Sequence, residues 1–129
     1  LCIGCGYCAE ACPYQARHIV HKRDLAYEKK GAMQHEEARF DEGRMSVAMK
    51  CNFCQSRIDT AKETGQTPGV DPEVTPACVN SCIATALHFG DRDDPDSNVS
   101  SLLAENQTFR MHEELGTDPG FYYIWDKKS

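Results

Sequence analysis

Four of the eight cysteines in this 129-residue chain fall between residues 2 and 12, in the stretch CIGCGYCAEACPYQARHI that runs from Cys2 to Ile19. Thiols crowded this closely constrain a chain more than any apolar pattern does, because each must be paired or held by something that takes several at once. The other four, Cys51, Cys54, Cys78 and Cys82, lie far along the chain. An even count allows a disulfide framework, but neighbours two or three residues apart close almost no loop and meet S–S geometry poorly. Zinc accepts paired C-x2-C knuckles, yet a triple run closing on Cys12-Pro13 suits it badly. A c-type haem needs His directly after C-x-x-C; here Gly6, Ala9 and Gln55 follow.

Cys2, Cys5, Cys8, Cys12 and Pro13 spell C-x2-C-x2-C-x3-C-P. This resembles the ligand run of bacterial [4Fe–4S] ferredoxins, in which three thiolates hold one cluster and the fourth serves another. Two-residue gaps let a short irregular loop wrap three corners of a small cube, and Gly4 and Gly6 tolerate the positive φ such a loop needs. A thiol three residues further on sits about one helical turn along and points elsewhere. A Rieske centre would require two His among the ligands, and none of the five His lies inside a cysteine motif.

The distant cysteines repeat the pattern. ACPYQARHI (Ala11 to Ile19) aligns with SCIATALHF (Ser81 to Phe89), so that Cys8, Cys12, Ala16, His18 and Ile19 meet Cys78, Cys82, Ala86, His88 and Phe89 at a constant offset of 70. Cys51 and Cys54 keep their C-x2-C gap but are parted from Cys78 by a 23-residue insertion, residues 55–77. Its GQTPGVDPEVTP segment reads as a surface loop from its Gly and Pro density. His18 and His88 fall on strand-like stretches and read as structural, while His21, His35 and His112 sit in polar surroundings with no assigned role. RMSVAMKC reads as a short strand delivering Cys51, and FCQSRIDTAKETG as two or three helical turns stopped by Gly65. Asp96 or Ser97 can cap a helix over NVSSLLAEN. The tail GFYYIWDKKS carries five large apolar residues in a row, Phe121 to Trp125, which either cover the chain's own core or dock on a partner.

Composition narrows the class. Apolar residues make up 40% of the chain, and eight of those residues are the cysteines. Mean hydropathy is negative, so something besides a hydrophobic core is expected to hold the fold. A net charge of −6 argues against nucleic-acid binding, and Lys22-Arg23, Lys29-Lys30 and Lys127-Lys128 read as solvated surface. The carboxylates of MQHEEARFDEG and Asp93-Asp94 likewise read as a solvated face, and no catalytic constellation is visible. No run reaches the length of a membrane span. The chain opens with Leu1 and places a ligand at residue 2, which reads as a fragment of a longer protein, because a ligand beside a frayed end is poorly held.

Taken together, CIGCGYCAEACPYQAR, KCNFCQSRID, PACVNSC, ALHFGDRDDPDSNVSSLL and ELGTDPGFYYIW resemble the iron–sulfur electron-transfer subunit of molybdopterin-dependent oxidoreductases of the dimethyl-sulfoxide-reductase type. The insertion and tail look most similar to those of phenylacetyl-CoA:acceptor oxidoreductase-like complexes. The resemblance implies one-electron transfer between a molybdopterin catalytic subunit and a membrane-anchor subunit or soluble acceptor. It implies four cysteine groups and four clusters in a full-length parent, of which this chain matches the last two groups. Cys2, Cys5 and Cys8 would hold three corners of one cluster, and Cys51, Cys54 and Cys78 three of another. Cys12 and Cys82 would then serve clusters whose other ligands lie elsewhere. In a stand-alone reading Cys82 closes the first cluster and Cys12 the second. All eight cysteines are ligands either way. Ile83 follows Cys82 where such proteins often have proline.

The expected fold is α+β: a small, loop-rich, ferredoxin-like two-cluster module with a pseudo-twofold repeat over 1–95, its insertion at about 55–77. A C-terminal helix and extended aromatic docking tail are expected over 96–129. Lys50 and Arg57 flank Cys51 and Cys54 as tuning or docking charges, or as ordinary surface cations. A free ferredoxin-like carrier and a zinc-stabilised interaction module are the alternatives. Clusters need reduced thiols for assembly, which places that step in the cytoplasm; the finished complex could remain there, associate with a membrane or be exported folded. Because cluster binding contributes to folding, the iron-free chain is expected to be largely unfolded. A cooperative thermal transition in a chelated sample would contradict this.

Overall fold

The structure, a computed structural model, describes residues 2–127, so Lys128 of the last basic pair and the end of the tail lie outside it. The backbone divides into two units at the Cys51/Asn52 junction. Both are built of short helices and two-stranded sheets, an α+β composition.

In the first unit, left-handed Gly6 (φ 78°) turns the chain into a single helical turn, α1 (Tyr7–Glu10). Strand β1 (His18–Ile19) pairs antiparallel with β2 (Ala48–Met49), setting His18 opposite Met49 and Ile19 opposite Ala48. Ser46 N–H donates to the Val20 carbonyl at 2.8 Å and extends the pairing. As its sequence suggested, β2 ends just ahead of Cys51. Gly4 packs so closely that a Cβ there would lie 2.3 Å from the Ser46 carbonyl oxygen. Between the strands the chain makes an excursion carrying α2 (Gln34–Arg39), with no buried residue. Polar contacts hold it: the Glu36 carboxylate accepts from Ala26 N–H (2.9 Å) and Met33 N–H (2.7 Å). Arg23 pairs with Glu37 at 3.1 Å and lies 4.3 Å from the centre of the Phe40 ring.

The second unit begins with α3 (Gln55–Thr64), which ends at left-handed Gly65 (φ 71°). After the insertion comes a second single-turn helix, α4 (Ala77–Asn80). Helix α5 (Asn98–Glu105) is capped by Ser97, whose hydroxyl accepts from Ser100 N–H at 3.1 Å. Strand β3 (Asn106–Phe109) follows directly and pairs antiparallel with β4 (Tyr123–Lys127), with a bulge between Gln107 and Thr108. The tail therefore forms the second strand of a hairpin. Phe109 stacks on Tyr123 at 5.1 Å between ring centres, and Trp125 stays 78% exposed.

The insertion departs from its surface-loop reading. Val74 and Pro76 are fully buried and Thr75 nearly so, and among the described residues Ala61, Val74 and Pro76 are buried apolar side chains. Gly and Pro set the turns of this segment, but exposure depends on whether its polar groups find partners, and they do. The Thr75 hydroxyl donates to the Asp71 carbonyl and accepts from Gly69 N–H, both at 2.7 Å. His88 is also corrected: the stretch around it is not a strand, because among the described residues no second segment pairs with it as β2 pairs with β1.

Gly69 (φ 90°) lies against the Phe89 carbonyl, where a Cβ would sit 1.7 Å from the oxygen, whereas a Cβ at Gly65 would meet nothing. Gly65→Ala should therefore cost about 1 kcal/mol through backbone conformation alone. Gly69→Ala should cost clearly more, because the backbone itself must shift; denaturant midpoints of the two variants check the order.

Candidate metal centre

None of the eight cysteines forms a disulfide: Cys2, Cys5, Cys51 and Cys78 are exposed, and Cys8, Cys12, Cys54 and Cys82 are half-buried. Three sit on or beside short helices, where chain direction is set within a few residues. Cys8 lies in α1, Cys78 in α4, and Cys54 immediately precedes α3.

The local backbone around the two sets repeats at the same offset of 70. In the first, Ala9 and Glu10 N–H donate to the Gly6 carbonyl at 2.9 and 3.2 Å; in the second, Val79 and Asn80 donate to that of Pro76 at 3.0 and 3.2 Å. Ala11 to Tyr7 (2.9 Å) is matched by Ser81 to Ala77 (3.0 Å), and Gln15 to Cys12 (3.1 Å) by Thr85 to Cys82 (3.0 Å). Gln15 and Thr85 are both left-handed, at φ 49° and 48°. That reversal aims the next amide at the preceding sulfur.

Three of the thiols, Cys2, Cys12 and Cys82, share one electrostatic feature. The Cys2 thiol is lowered in pKa by the N–H of Ala48 and then of Gly4, which reach its Sγ at 3.3 and 3.4 Å. The Ala16 N–H does the same for Cys12, and the Ala86 N–H, at 3.3 Å, for Cys82. Ala77 N–H donates to Cys54 Sγ at 3.5 Å. An N–H aimed at sulfur favours the thiolate, the form that ligates metal. Such bonds also belong to the ordinary surroundings of cluster sulfurs, so this donor set fits a [4Fe–4S] cluster. Among the described residues no three Cys, His, Asp or Glu side chains converge as ligands of a single ion must.

The amides were not singled out from sequence, although the Ala16/Ala86 match carried the signal. His18 and His88 are exposed. Lys50 Nζ donates to the Cys51 carbonyl at 3.1 Å, and Arg57 is turned onto the carbonyls of Pro72 (3.2 Å) and Thr75 (3.0 Å).

Residues 1–18 match the family model of the 4Fe-4S binding domain. The sequence is 35% identical, over 95% of its length and 42% of the relative's, to a selenate reductase subunit of Mesobacillus selenatarsenatis. It is 34% identical, over 99% of its length and 50% of the relative's, to a polysulfide reductase chain of Wolinella succinogenes. A third relative, the "Hdr-like menaquinol oxidoreductase iron-sulfur subunit 1" of Archaeoglobus fulgidus, is 39% identical over 95% of the present sequence and 42% of its own length. Over nearly its whole length the chain is therefore similar to subunits of reductases and oxidoreductases, one of them named as an iron-sulfur subunit. The chain spans half or less of the length of those relatives. No helix among its described residues is long and apolar enough to cross a membrane.

Ile83 is fully exposed and occupies the place that Pro13 holds 70 residues earlier. Its N–H makes no hydrogen bond among the described residues. Ile83→Pro should therefore be neutral or stabilising by up to about 1 kcal/mol. A fall in the denaturant midpoint would show that the two turns differ.

Proposed function

We propose that this chain holds two [4Fe–4S] clusters through Cys2, Cys5, Cys8, Cys12, Cys51, Cys54, Cys78 and Cys82, and relays single electrons in a multi-subunit molybdopterin oxidoreductase. The observation that carries this reading is the repeated thiol environment. Two segments 70 residues apart place a cysteine under a backbone amide by the same left-handed turn. This supports a pseudo-twofold ferredoxin-type module over 1–95. The two pairings differ only in whether Cys82 and Cys12 close the clusters within this chain or serve two further clusters of a longer parent.

A bound [4Fe–4S] cluster supplies a site that takes up and gives back one electron without breaking bonds. The chain's own residues decide how that happens. Thiolates hold the charge, and N–H groups such as those of Ala48 and Ala86 stabilise it. Those N–H groups, together with solvent access, set the potential within a span of roughly −700 to +450 mV.

The names of the relatives, which call them subunits or chains of reductases and oxidoreductases, support further subunits as partners; in this reading one is a catalytic molybdopterin subunit and the other a membrane anchor or soluble acceptor. Phenylacetyl-CoA:acceptor oxidoreductase is not among the relatives named above. Residues 96–129 serve as helix and docking tail in this reading, supported by the exposure of Trp125. Cluster assembly takes place in the cytoplasm, where thiols are kept reduced.

The decisive measurement is iron, acid-labile sulfide and zinc per chain after anaerobic reconstitution. About eight iron and eight sulfide are expected if the two groups complete each other. Substoichiometric, labile iron is expected if ligands come from a longer parent. Stoichiometric zinc without sulfide would overturn the electron-transfer reading in favour of a zinc-stabilised module. Monomeric behaviour of the intact parent would favour a free carrier.

A further inference from the structure

In the first cysteine group Cys5 and Cys8 are separated by two residues, so the covalent chain alone keeps them together. In the second, Cys54 and Cys78 are separated by 23 residues, and something else must bring them into register. Arg57 lies in the first turn of α3, its own N–H bonded to the Cys54 carbonyl at 2.8 Å. From there its Nη1 donates to the Pro72 carbonyl (3.2 Å) and the Thr75 carbonyl (3.0 Å). Thr75 is buried, and Pro76 and Ala77 lead from it directly into Cys78. The Pro72 carbonyl also accepts from the side-chain amide of Asn80, on the far side of Cys78 in α4. Ala77 N–H, one residue before Cys78, reaches Cys54 Sγ at 3.5 Å.

We propose that Arg57 is the positioning residue of the second cysteine group: its guanidinium ties backbone 72–75 to α3 and thereby presents Cys78 beside Cys54. This rests on the reading of Cys51, Cys54 and Cys78 as ligands of one cluster. Both bonds leave one nitrogen, whose two hydrogens are fixed in the guanidinium plane and so aimed at two set carbonyls, whereas an ammonium is a compact point charge whose donors rotate. It also replaces the sequence-based reading of Arg57 as a docking charge, since the side chain is half-buried and its charge is turned onto the chain's own carbonyls.

The test uses the full-length holoprotein and the electron paramagnetic resonance spectra of its reduced clusters. Cys78→Ser and Cys5→Ser first assign the signals of the two groups. Arg57→Gln is expected to weaken or alter the signal assigned by Cys78→Ser, to leave the one assigned by Cys5→Ser unchanged, and to lose at most the iron that Cys78→Ser loses. Arg57→Lys is expected to restore the iron but leave the second signal with a shifted midpoint potential. An unaltered second signal in Arg57→Gln overturns the proposal, as does loss of both signals together in both variants. Should Arg57→Gln not fold, an unaltered second signal in Arg57→Lys overturns it. If Cys78→Ser removes no signal, the ligand reading falls and the role of Arg57 with it. If Cys78→Ser removes one and the Arg57 variants leave it intact, only the role of Arg57 falls.

Discussion

A cysteine sulfur that is to carry charge needs donors, and in this chain the backbone provides them. The amides of Ala48 and Gly4 reach Cys2, that of Ala77 reaches Cys54, and that of Ala86 reaches Cys82. An amide can face the sulfur of a residue close by only if the intervening chain reverses sharply, which left-handed residues permit. Gly4 and Gly6 take that conformation without a Cβ penalty, but Gln15, Phe53, Cys54 and Thr85 take it as well. Each such residue costs about 1–2 kcal/mol, and Phe53 and Cys54 do so consecutively. Strain of this kind persists where the surroundings over-determine the backbone, as thiolates gripping one rigid body would do.

The rest of the molecule is organised around that requirement. Its apolar core is small, with Ala61, Val74 and Pro76 as buried apolar side chains among the described residues. What stands in for a core is mostly polar and local. Glu36 draws in two amides of the excursion in the first unit. In the second, Thr75 and Arg57 satisfy the backbone of the insertion while Val74 and Pro76 go under cover. A fold of this kind gains much of its stability from whatever binds its thiols. The insertion is then part of the site, because it replaces the direct covalent link that the first cysteine group has.

Much was legible where the determining forces are local. Gly65 stops α3 and Ser97 caps α5, each by a short-range bond that a few residues encode. The cysteine spacing and its 70-residue echo marked the candidate ligands, and the matching bonds after Cys12 and Cys82 follow the same alignment. Reading failed where a partner distant in sequence decides. Residues 65–76 looked like a surface loop because Gly and Pro report turns, while burial there goes with Arg57 reaching the Thr75 carbonyl from α3 and with Gly69 N–H reaching the Thr75 hydroxyl. The stretch at His88 looked like a strand but has no partner to pair with. The tail posed a choice between own core and partner; it pairs with β3 along its backbone and still leaves Trp125 in solvent.

The sequence by itself determined the chemistry of this protein, because a ligand run depends only on residue type and on spacings of two or three residues, distances over which covalent geometry controls where side chains point. It also determined helix stops and caps, for the same reason. Only the tertiary structure decided which amides face which sulfurs across the chain, as Ala48 faces Cys2 and Ala77 faces Cys54. It decided too that Arg57 braces the insertion rather than meeting solvent. Those contacts join segments tens of residues apart, and their free energy depends on burial and on satisfying every polar group at once, which no local pattern records.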